Sequence, residues 1–169
     1  MKVLVTKIPD GGLDVSFSKN KDWIKEGLSE KDELKDYLND DLKCDCHLEV
    51  LKEDVFVKGK VSLILKPLCS KCGKEFTQEY SIDLDLTCLP DRQQSNSRGK
   101  DYMDGDTGLN YYRKDEIDLG VIAREQLFLT LPMTYLCRED CPGLCLNCGA
   151  DMNVEPCGCG KPLEENLKN

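Results

Sequence analysis

Residues 42–88 decide the fold, because they contain three runs in which apolar and polar side chains alternate. The runs are LKCDCHLEVL (42–51), VFVKGKVSLIL (55–65) and FTQEYSIDLDLTC (76–88). Successive side chains of a strand point to opposite faces, so each run predicts a strand with one buried face. Short turns separate the runs, which predicts an antiparallel meander. Gly59, in the middle of the second run, predicts either a bulge or a close approach between backbones.

The regions on both sides of this meander predict further strands and helices. Apolar residues alternate before and after Pro9-Asp10-Gly11-Gly12, which indicates two short strands joined by a turn. A capping box predicts a helix over 29–38, Asp118 is a candidate N-cap for a helix ending near residue 132, and 109–113 predicts another strand. The expected fold is α+β: an antiparallel β meander or partly open barrel with a few helices and a zinc-stapled C-terminal tail.

The distribution of residue types divides the chain in two. We predict an α+β core domain over 1–136, with the first cysteine pair at a hairpin turn and a mobile loop at 90–108. The cysteine-rich tail, 137–169, is expected to pack on this core. The tail has almost no apolar periodicity but contains six of the eleven cysteines. A segment with so few apolar side chains cannot be stabilised by their burial alone. We therefore expect bound metal ions to stabilise the tail.

Composition and charge exclude several classes of function. The 32 acidic and 23 basic residues give a net charge of −9. That balance argues against a protein that coats nucleic acid or a membrane surface through bulk positive charge. The sequence shows neither a signal peptide nor a run of about 18 apolar residues, so we predict a cytoplasmic protein without a membrane partner. In such a protein eleven cysteines indicate metal ligands or redox groups.

Eight of the cysteines have the spacing of metal ligands. They are Cys69, Cys72, Cys137, Cys141, Cys145, Cys148, Cys157 and Cys159. Two C-x-x-C-G sequences with two further pairs are typical of zinc ribbons, and four thiolates close one tetrahedral site, so we predict about two structural zinc ions. The last four cysteines are close enough in sequence to form one site, which leaves the first four for the other. The alternative partition joins the two C-x-x-C pairs in one site.

The other candidate residues have structural interpretations. Cys44, Cys46 and Cys88 share the apolar faces of their predicted strands, so we expect them in the core. His47 lies on a polar face without a spaced partner. Closed four-thiolate sites leave no open coordination position, and the sequence contains no nucleophile–base pair or phosphate-binding loop. We therefore predict a protein that is not an enzyme and has no small-molecule substrate.

Three stretches together carry a family resemblance: LCSKCGKEF (68–76), EIDL (116–119) with the apolar helix that follows it, and CPGLCLNCG (141–149) followed by Asn153. In this combination the chain resembles the YceD family of large ribosomal RNA subunit accumulation proteins. The resemblance implies a bacterial or plastid protein needed for normal accumulation of 23S ribosomal RNA. Shorter members keep the first C-x-x-C and metal-binding residue types near Cys137 and Cys141 but lack the later cysteines. This favours the pairing of Cys69 and Cys72 with Cys137 and Cys141.

The expected function is support of ribosome biogenesis by binding large-subunit ribosomal RNA or its precursor, directly or through a ribosomal protein. Because the chain is acidic, RNA contact needs a local basic patch. The candidates are Lys71, Lys74, Arg92, Arg98 and Lys100. The alternative interpretation is that these five bases are solvated charges of turns and loops without an RNA contact. Two other functions stay open: a zinc-stabilised protein-interaction module and a zinc-thiolate redox sensor, since clustered thiolates can be oxidised with release of metal.

Overall fold

The structure is a computed structural model that describes residues 1–91 and 109–160. The elements in chain order are β1 (Lys2–Leu4), β2 (Leu13–Lys19), α1 (Lys21–Glu26), α2 (Leu34–Tyr37), β3 (Leu42–Leu51), β4 (Asp54–Leu65), β5 (Gln78–Pro90), β6 (Leu109–Tyr112), β7 (Glu116–Asp118) and α3 (Leu119–Thr130). Two short 3-10 turns, Val5–Lys7 and Gly158–Gly160, complete the set. The predicted α+β class with few helices is confirmed.

A five-stranded sheet forms the main layer, in the order β2-β3-β4-β5-β6. The three alternating runs are β3, β4 and β5, so the predicted meander is confirmed. β3 and β4 form a hairpin in which Leu51 pairs with Asp54 across a two-residue turn. The strand predicted over 109–113 is β6, and it pairs with β5 in parallel. Within the described residues β2 and β6 are the two edges, so the sheet is open and not a closed barrel.

Gly59 brings β3 and β4 unusually close together. It pairs with Cys46 in an uninterrupted antiparallel register, so the strand contains no bulge at this position. A Cβ atom added at Gly59 would lie 2.5 Å from Cys46 Cα and 2.6 Å from Cys46 Cβ, and against the carbonyl oxygen of Asp45. Of the two predictions for Gly59, the close approach between backbones is therefore confirmed and the bulge is wrong.

A second, two-stranded sheet joins the N-terminus to the start of α3. The turn at 9–12 links β1 to β2, but these strands do not pair with each other. β1 instead pairs antiparallel with β7, where Val3 lies opposite Ile117 and both are buried. The Asp118 side chain caps α3 as predicted, since its Oδ1 accepts from the amides of Gly120 at 3.0 Å and Val121 at 3.3 Å.

The chain forms two compact units. Unit 1 comprises Met1–Leu65 and Glu79–Leu131, and unit 2 comprises Lys66–Gln78 and Pro132–Asn169. Among the described residues, unit 1 contains the two sheets and the three α-helices. The domain boundary expected after residue 136 stays a prediction. The loop expected to be mobile lies outside the described residues beyond position 91. In the described part of the chain, no helix has the length and apolarity needed to cross a membrane.

Candidate metal centre

Unit 2 contains two short loops with the same sequence pattern, Leu-Cys-x-x-Cys-Gly-x-acid. They are knuckle 1, residues 68–75, and knuckle 2, residues 144–151. In each knuckle the amide of the first cysteine donates to a carbonyl beyond the glycine, from Cys69 to Lys74 at 2.9 Å and from Cys145 to Ala150 at 2.8 Å. The two loops therefore have the same backbone hydrogen bond at the same place.

The glycine of each knuckle is required by the backbone. Gly73 has φ +71° and Gly149 has φ +74°, in the left-handed region that side-chain-bearing residues rarely adopt. The amide of each glycine donates to the carbonyl of the first cysteine at 2.8 Å, which closes the turn. The repeated C-x-x-C-G sequence thus specifies one turn geometry twice.

The first tetrad brings together Cys69 and Cys72 of knuckle 1 with Cys137 and Cys141. Their four sulfurs all lie within 4.8 Å of one another. The Sγ atoms of Cys69 and Cys141 are 3.8 Å apart, and those of Cys72 and Cys137 are 3.9 Å apart. Three of the four side chains are buried, and Cys137 is half-buried. We call this group tetrad 1.

Backbone contacts hold the two halves of tetrad 1 together. The Ser70 amide donates to the carbonyl of Tyr135 at 2.8 Å, and the Tyr135 amide donates to Ser70 Oγ at 3.2 Å. This reciprocal pair places the segment before Cys137 against knuckle 1. The amide of Cys141 donates to the carbonyl of Arg138 at 3.2 Å, so a tight turn returns the chain to the same centre.

The second tetrad consists of Cys145 and Cys148 of knuckle 2 with Cys157 and Cys159. Its sulfurs also lie within 4.8 Å of one another, and its side chains are half-buried or exposed. The 3-10 turn Gly158–Gly160 carries Cys159. We call this group tetrad 2. The two C-x-x-C pairs thus belong to different tetrads. This agrees with the partition in which the last four cysteines form one site, and not with the one that joins the two C-x-x-C pairs.

The donor sets fit a tetrahedral metal ion. Zinc–sulfur bonds are about 2.3 Å long, so neighbouring sulfurs of such a site lie about 3.8 Å apart. The separations in tetrad 1, 3.8 and 3.9 Å, agree with that value. They are far longer than a disulfide bond, and all eleven cysteines are free thiols. Each tetrad could therefore hold one metal ion.

The knuckles favour ionisation of their first cysteine. Burial opposes ionisation of Cys69, but backbone amides of Cys137, Cys72 and Lys71 hydrogen-bond its sulfur and lower its pKa to about 6. In knuckle 2 the amides of Cys148 and Asn147 act in the same way and lower the pKa of Cys145 to about 6. Each tetrad thus contains one thiol that readily becomes a thiolate, the form that binds metal.

Two thiols, Cys137 and Cys159, need a nearby cation before they ionise. Burial and hydrogen bonds with neighbouring thiols raise the pKa of Cys137 to about 12. A hydrogen bond with Cys148 raises the pKa of Cys159 to about 12. Negative charge that accumulates on clustered sulfurs disfavours each further ionisation, and a divalent cation at the centre removes this penalty. The electrostatics of both tetrads agree with a metal-binding role.

The cysteines outside the tetrads lie in the core of unit 1, as predicted. Cys44, Cys46 and Cys88 are 1%, 6% and 1% exposed. His47 lies on the polar face of β3, where its Nδ1 is 2.7 Å from Asp14 Oδ1, and it belongs to neither tetrad.

Two of the five predicted RNA-contacting bases lie in the described residues. Lys71 and Lys74 are exposed on knuckle 1, whereas Arg92, Arg98 and Lys100 lie outside the part of the chain that the structure describes. The ion pairs between described residues involve other bases, namely Lys2, His47, Lys60, Arg113, Arg138 and the N-terminus. Neither knuckle lysine makes an ion pair with a described residue, although Lys74 is near enough to Asp151 to help lower the pKa of that carboxyl.

Sequence analysis used Gly143 and Asn153 only as part of the family resemblance and did not predict that they connect the two knuckles. Gly143 is buried with φ +76° against Lys71, and Asn153 Oδ1 lies 3.6 Å from Cys141 Sγ. The Pro-Gly step between Cys141 and Cys145 was the available signal, because glycine often marks a close backbone approach. Spacing alone could not show which backbone it approaches.

Comparison with known proteins identifies the family. The family described as "Large ribosomal RNA subunit accumulation protein YceD" matches residues 57–168. A chloroplastic large ribosomal RNA subunit accumulation protein, YCED homolog 1 of Arabidopsis thaliana, is 25% identical over 174 residues, covering 89% of this chain and 54% of that protein. The homolog 1 of Zea mays is 35% identical over 76 residues, covering 44% of this chain and 24% of that protein.

A bacterial relative shows a similar extent of likeness. An uncharacterized protein of Mycobacterium leprae is 29% identical over 116 residues, covering 68% of this chain and 51% of that protein. The chain thus spans about half the length of the Arabidopsis and Mycobacterium proteins that it matches. No solved structure matches the chain. The family match includes both knuckles and every cysteine of the two tetrads. The chain belongs to the YceD family of large ribosomal RNA subunit accumulation proteins.

Proposed function

We propose that this protein supports accumulation of 23S ribosomal RNA, and with it large-subunit biogenesis, as a binding factor that is not an enzyme. The family match over 57–168 carries the proposal. The donor sets support a role without chemistry, because four protein thiolates leave a zinc ion no open position for water or substrate. The proposed location is the bacterial cytoplasm, where bacterial large subunits assemble; the Arabidopsis relative is described as chloroplastic.

We assign one structural zinc ion to each tetrad. In unit 2 the buried apolar cluster consists of Cys69, Cys72 and Cys141, with Phe76, Leu136 and Cys137 packed against it. The ligands of tetrad 1 therefore make up most of this cluster. The described part of unit 2 has little other apolar burial, so the free energy of zinc binding would supply much of the free energy that folds this unit.

Knuckle 1 is the proposed site of RNA contact. Lys71 and Lys74 are exposed there, on a loop whose backbone is fixed at tetrad 1. With a net charge of −9 the whole chain repels phosphate, so only local contacts are available. We expect about one to three phosphate contacts, each adding a salt slope of about 0.7–0.9. Specificity then comes from a shaped RNA element or from a ribosomal protein that presents it.

A protein partner is the second candidate, and one observation favours it. In and just after knuckle 2, Leu144, Leu146 and Val154 are 42%, 103% and 77% exposed. Large apolar side chains gathered on one exposed segment are typical of interaction surfaces. A basic ribosomal protein would also complement the acidic charge of the chain.

A deletion strain tests the proposal. Loss of the gene should lower 23S relative to 16S ribosomal RNA, and the wild-type gene should restore the ratio. Lys71→Glu and Lys74→Glu should restore it less well than Lys21→Glu, a matched change at an exposed lysine of α1. An unchanged ratio in the deletion strain, across growth conditions, would refute the ribosomal role. Full restoration by both knuckle variants would refute the RNA contact at knuckle 1 and favour the protein partner.

A further inference from the structure

The two tetrads share one short piece of backbone. Cys141 supplies the last ligand of tetrad 1 and Cys145 the first ligand of tetrad 2, with only Pro142, Gly143 and Leu144 between them. We call residues 142–144 the link. A displacement of Cys141 or Cys145 must also displace this link, because only three residues separate the two cysteines.

The link packs on the loop of knuckle 1. The Leu144 amide donates to the carbonyl of Lys71 at 3.1 Å. A Cβ atom added at Gly143 would lie 2.9 Å from that same oxygen and 3.2 Å from Lys71 Cβ. Lys71 lies between Cys69 and Cys72, so the link contacts the part of knuckle 1 that spans its two ligands. Only a glycine fits this contact.

The segment after knuckle 2 returns to tetrad 1. Asp151 pairs with Leu144 across knuckle 2, and Met152 donates its amide to the carbonyl of Gly143 at 3.0 Å. Asp151 Oδ1 accepts from the Asn153 amide at 2.9 Å and from Asn153 Nδ2 at 2.6 Å. Held in this way, the Asn153 side chain lies 3.6 Å from Cys141 Sγ. Closure of knuckle 2 therefore orders a side chain at a ligand of tetrad 1.

We infer that the two tetrads bind metal cooperatively, so that an ion in one raises the affinity of the other. This inference rests on the proposal that both tetrads bind zinc. The first ion orders the link and residues 151–153, and the second ion then binds a segment that has already lost that conformational freedom. The effect is reciprocal, since coupling between two binding sites changes both affinities by the same factor. Couplings of this kind are typically about 5- to 150-fold.

Zinc competition against a chromophoric chelator tests the inference on the purified full-length chain. Single-site affinities come from Cys157→Ser/Cys159→Ser, which removes tetrad 2, and from Cys69→Ser/Cys72→Ser, which removes tetrad 1. The product of the two wild-type association constants should exceed the product of these single-site constants by about fivefold or more. Equal products would overturn the cooperativity and leave zinc binding intact. A wild-type protein that binds no zinc would instead refute the metal proposal.

A glycine variant tests the link without removing a ligand. Gly143→Ala should still bind two zinc ions, but its coupling factor should fall towards one, because its Cβ cannot fit against Lys71. Gly149→Ala is the strain control, because its φ of +74° is equally unfavourable for alanine but no atom lies within 4 Å of the added Cβ. It lies in knuckle 2, so it should weaken tetrad 2 in both the two-site and the single-site protein and leave the coupling factor unchanged. Coupling retained in Gly149→Ala and lost in Gly143→Ala supports the inference. Wild-type coupling in Gly143→Ala would overturn the link as its route.

Discussion

Removal of one thiolate from tetrad 1 should lower the zinc content from about two ions per chain to about one. Cys69 is the most informative position, because the backbone amides of Cys137, Cys72 and Lys71 lower its pKa to about 6 and its sulfur lies 3.8 Å from that of Cys141. Apparent zinc-binding free energies of structural sites are about 10–16 kcal/mol, so an equal share for each of four thiolates is about 2.5–4 kcal/mol. Cys69→Ser should therefore weaken zinc binding at tetrad 1 by roughly 100- to 1,000-fold.

Elemental analysis after gel filtration measures this loss. The buffer should contain a chelator whose zinc affinity lies between those of a four-thiolate and a three-thiolate site. Cys88→Ala is the matched control, because Cys88 is as buried as Cys69, at 1% against 2% exposure, but lies in β5. The control should retain two ions. Retention of two ions by Cys69→Ser, or loss of one by Cys88→Ala, would refute the assignment of Cys69 to a closed site.

Three further predictions concern unit 1. Gly59→Ala should destabilise it by about 1–3 kcal/mol, because the added Cβ would lie 2.5 Å from Cys46 Cα; an unchanged urea midpoint would contradict this. Asp118→Ala should lower the free energy of unfolding by about 1 kcal/mol, because it removes the N-cap of α3. A smaller decrease for Asp118→Asn in the same urea assay would support the capping role. The hydrogen bond that His47 Nδ1 donates to the Asp14 carboxylate raises the pKa of His47 above 6.5. The small stabilisation from this bond is fully present below pH 6.5 and fades as the pH rises through the raised pKa. NMR titration should give a lower His47 pKa in Asp14→Asn, and an equal pKa would exclude this partner.

The local parts of the fold were predictable from sequence because their causes are local. Alternation of side chains predicts β3, β4 and β5, and a short acidic side chain before an apolar helix predicts the cap at Asp118. The capping box predicted at the start of 29–38, with Ser29 as the N-cap, is wrong, and the cause is again local. α2 begins only at Leu34, whose amide donates a hydrogen bond to Asp32 Oδ1 at 3.0 Å. The acceptor at the start of this helix is therefore the nearer Asp32 and not Ser29.

The non-local parts could not be read from the sequence. β1 pairs with β7 and β6 pairs in parallel with β5, and neither pairing follows from the alternation within one strand. Cysteine spacing identified all eight residues of the tetrads but left their partition open. The contacts of Ser70 with Tyr135 and of Lys71 with the link decide it, and these contacts join residues that are far apart in the chain.

Sedimentation of a cell lysate tests the proposed function most directly. The tagged, zinc-loaded protein should migrate on a sucrose gradient with large-subunit particles or their precursors, and crosslinking should place large-subunit RNA at knuckle 1 around Lys71 and Lys74. Cys69→Ser/Cys72→Ser should lose this association, because the zinc ion proposed for tetrad 1 would fix knuckle 1. Recovery of the wild-type protein only at the top of the gradient, in growing cells and after crosslinking, would contradict a role in large-subunit biogenesis by binding.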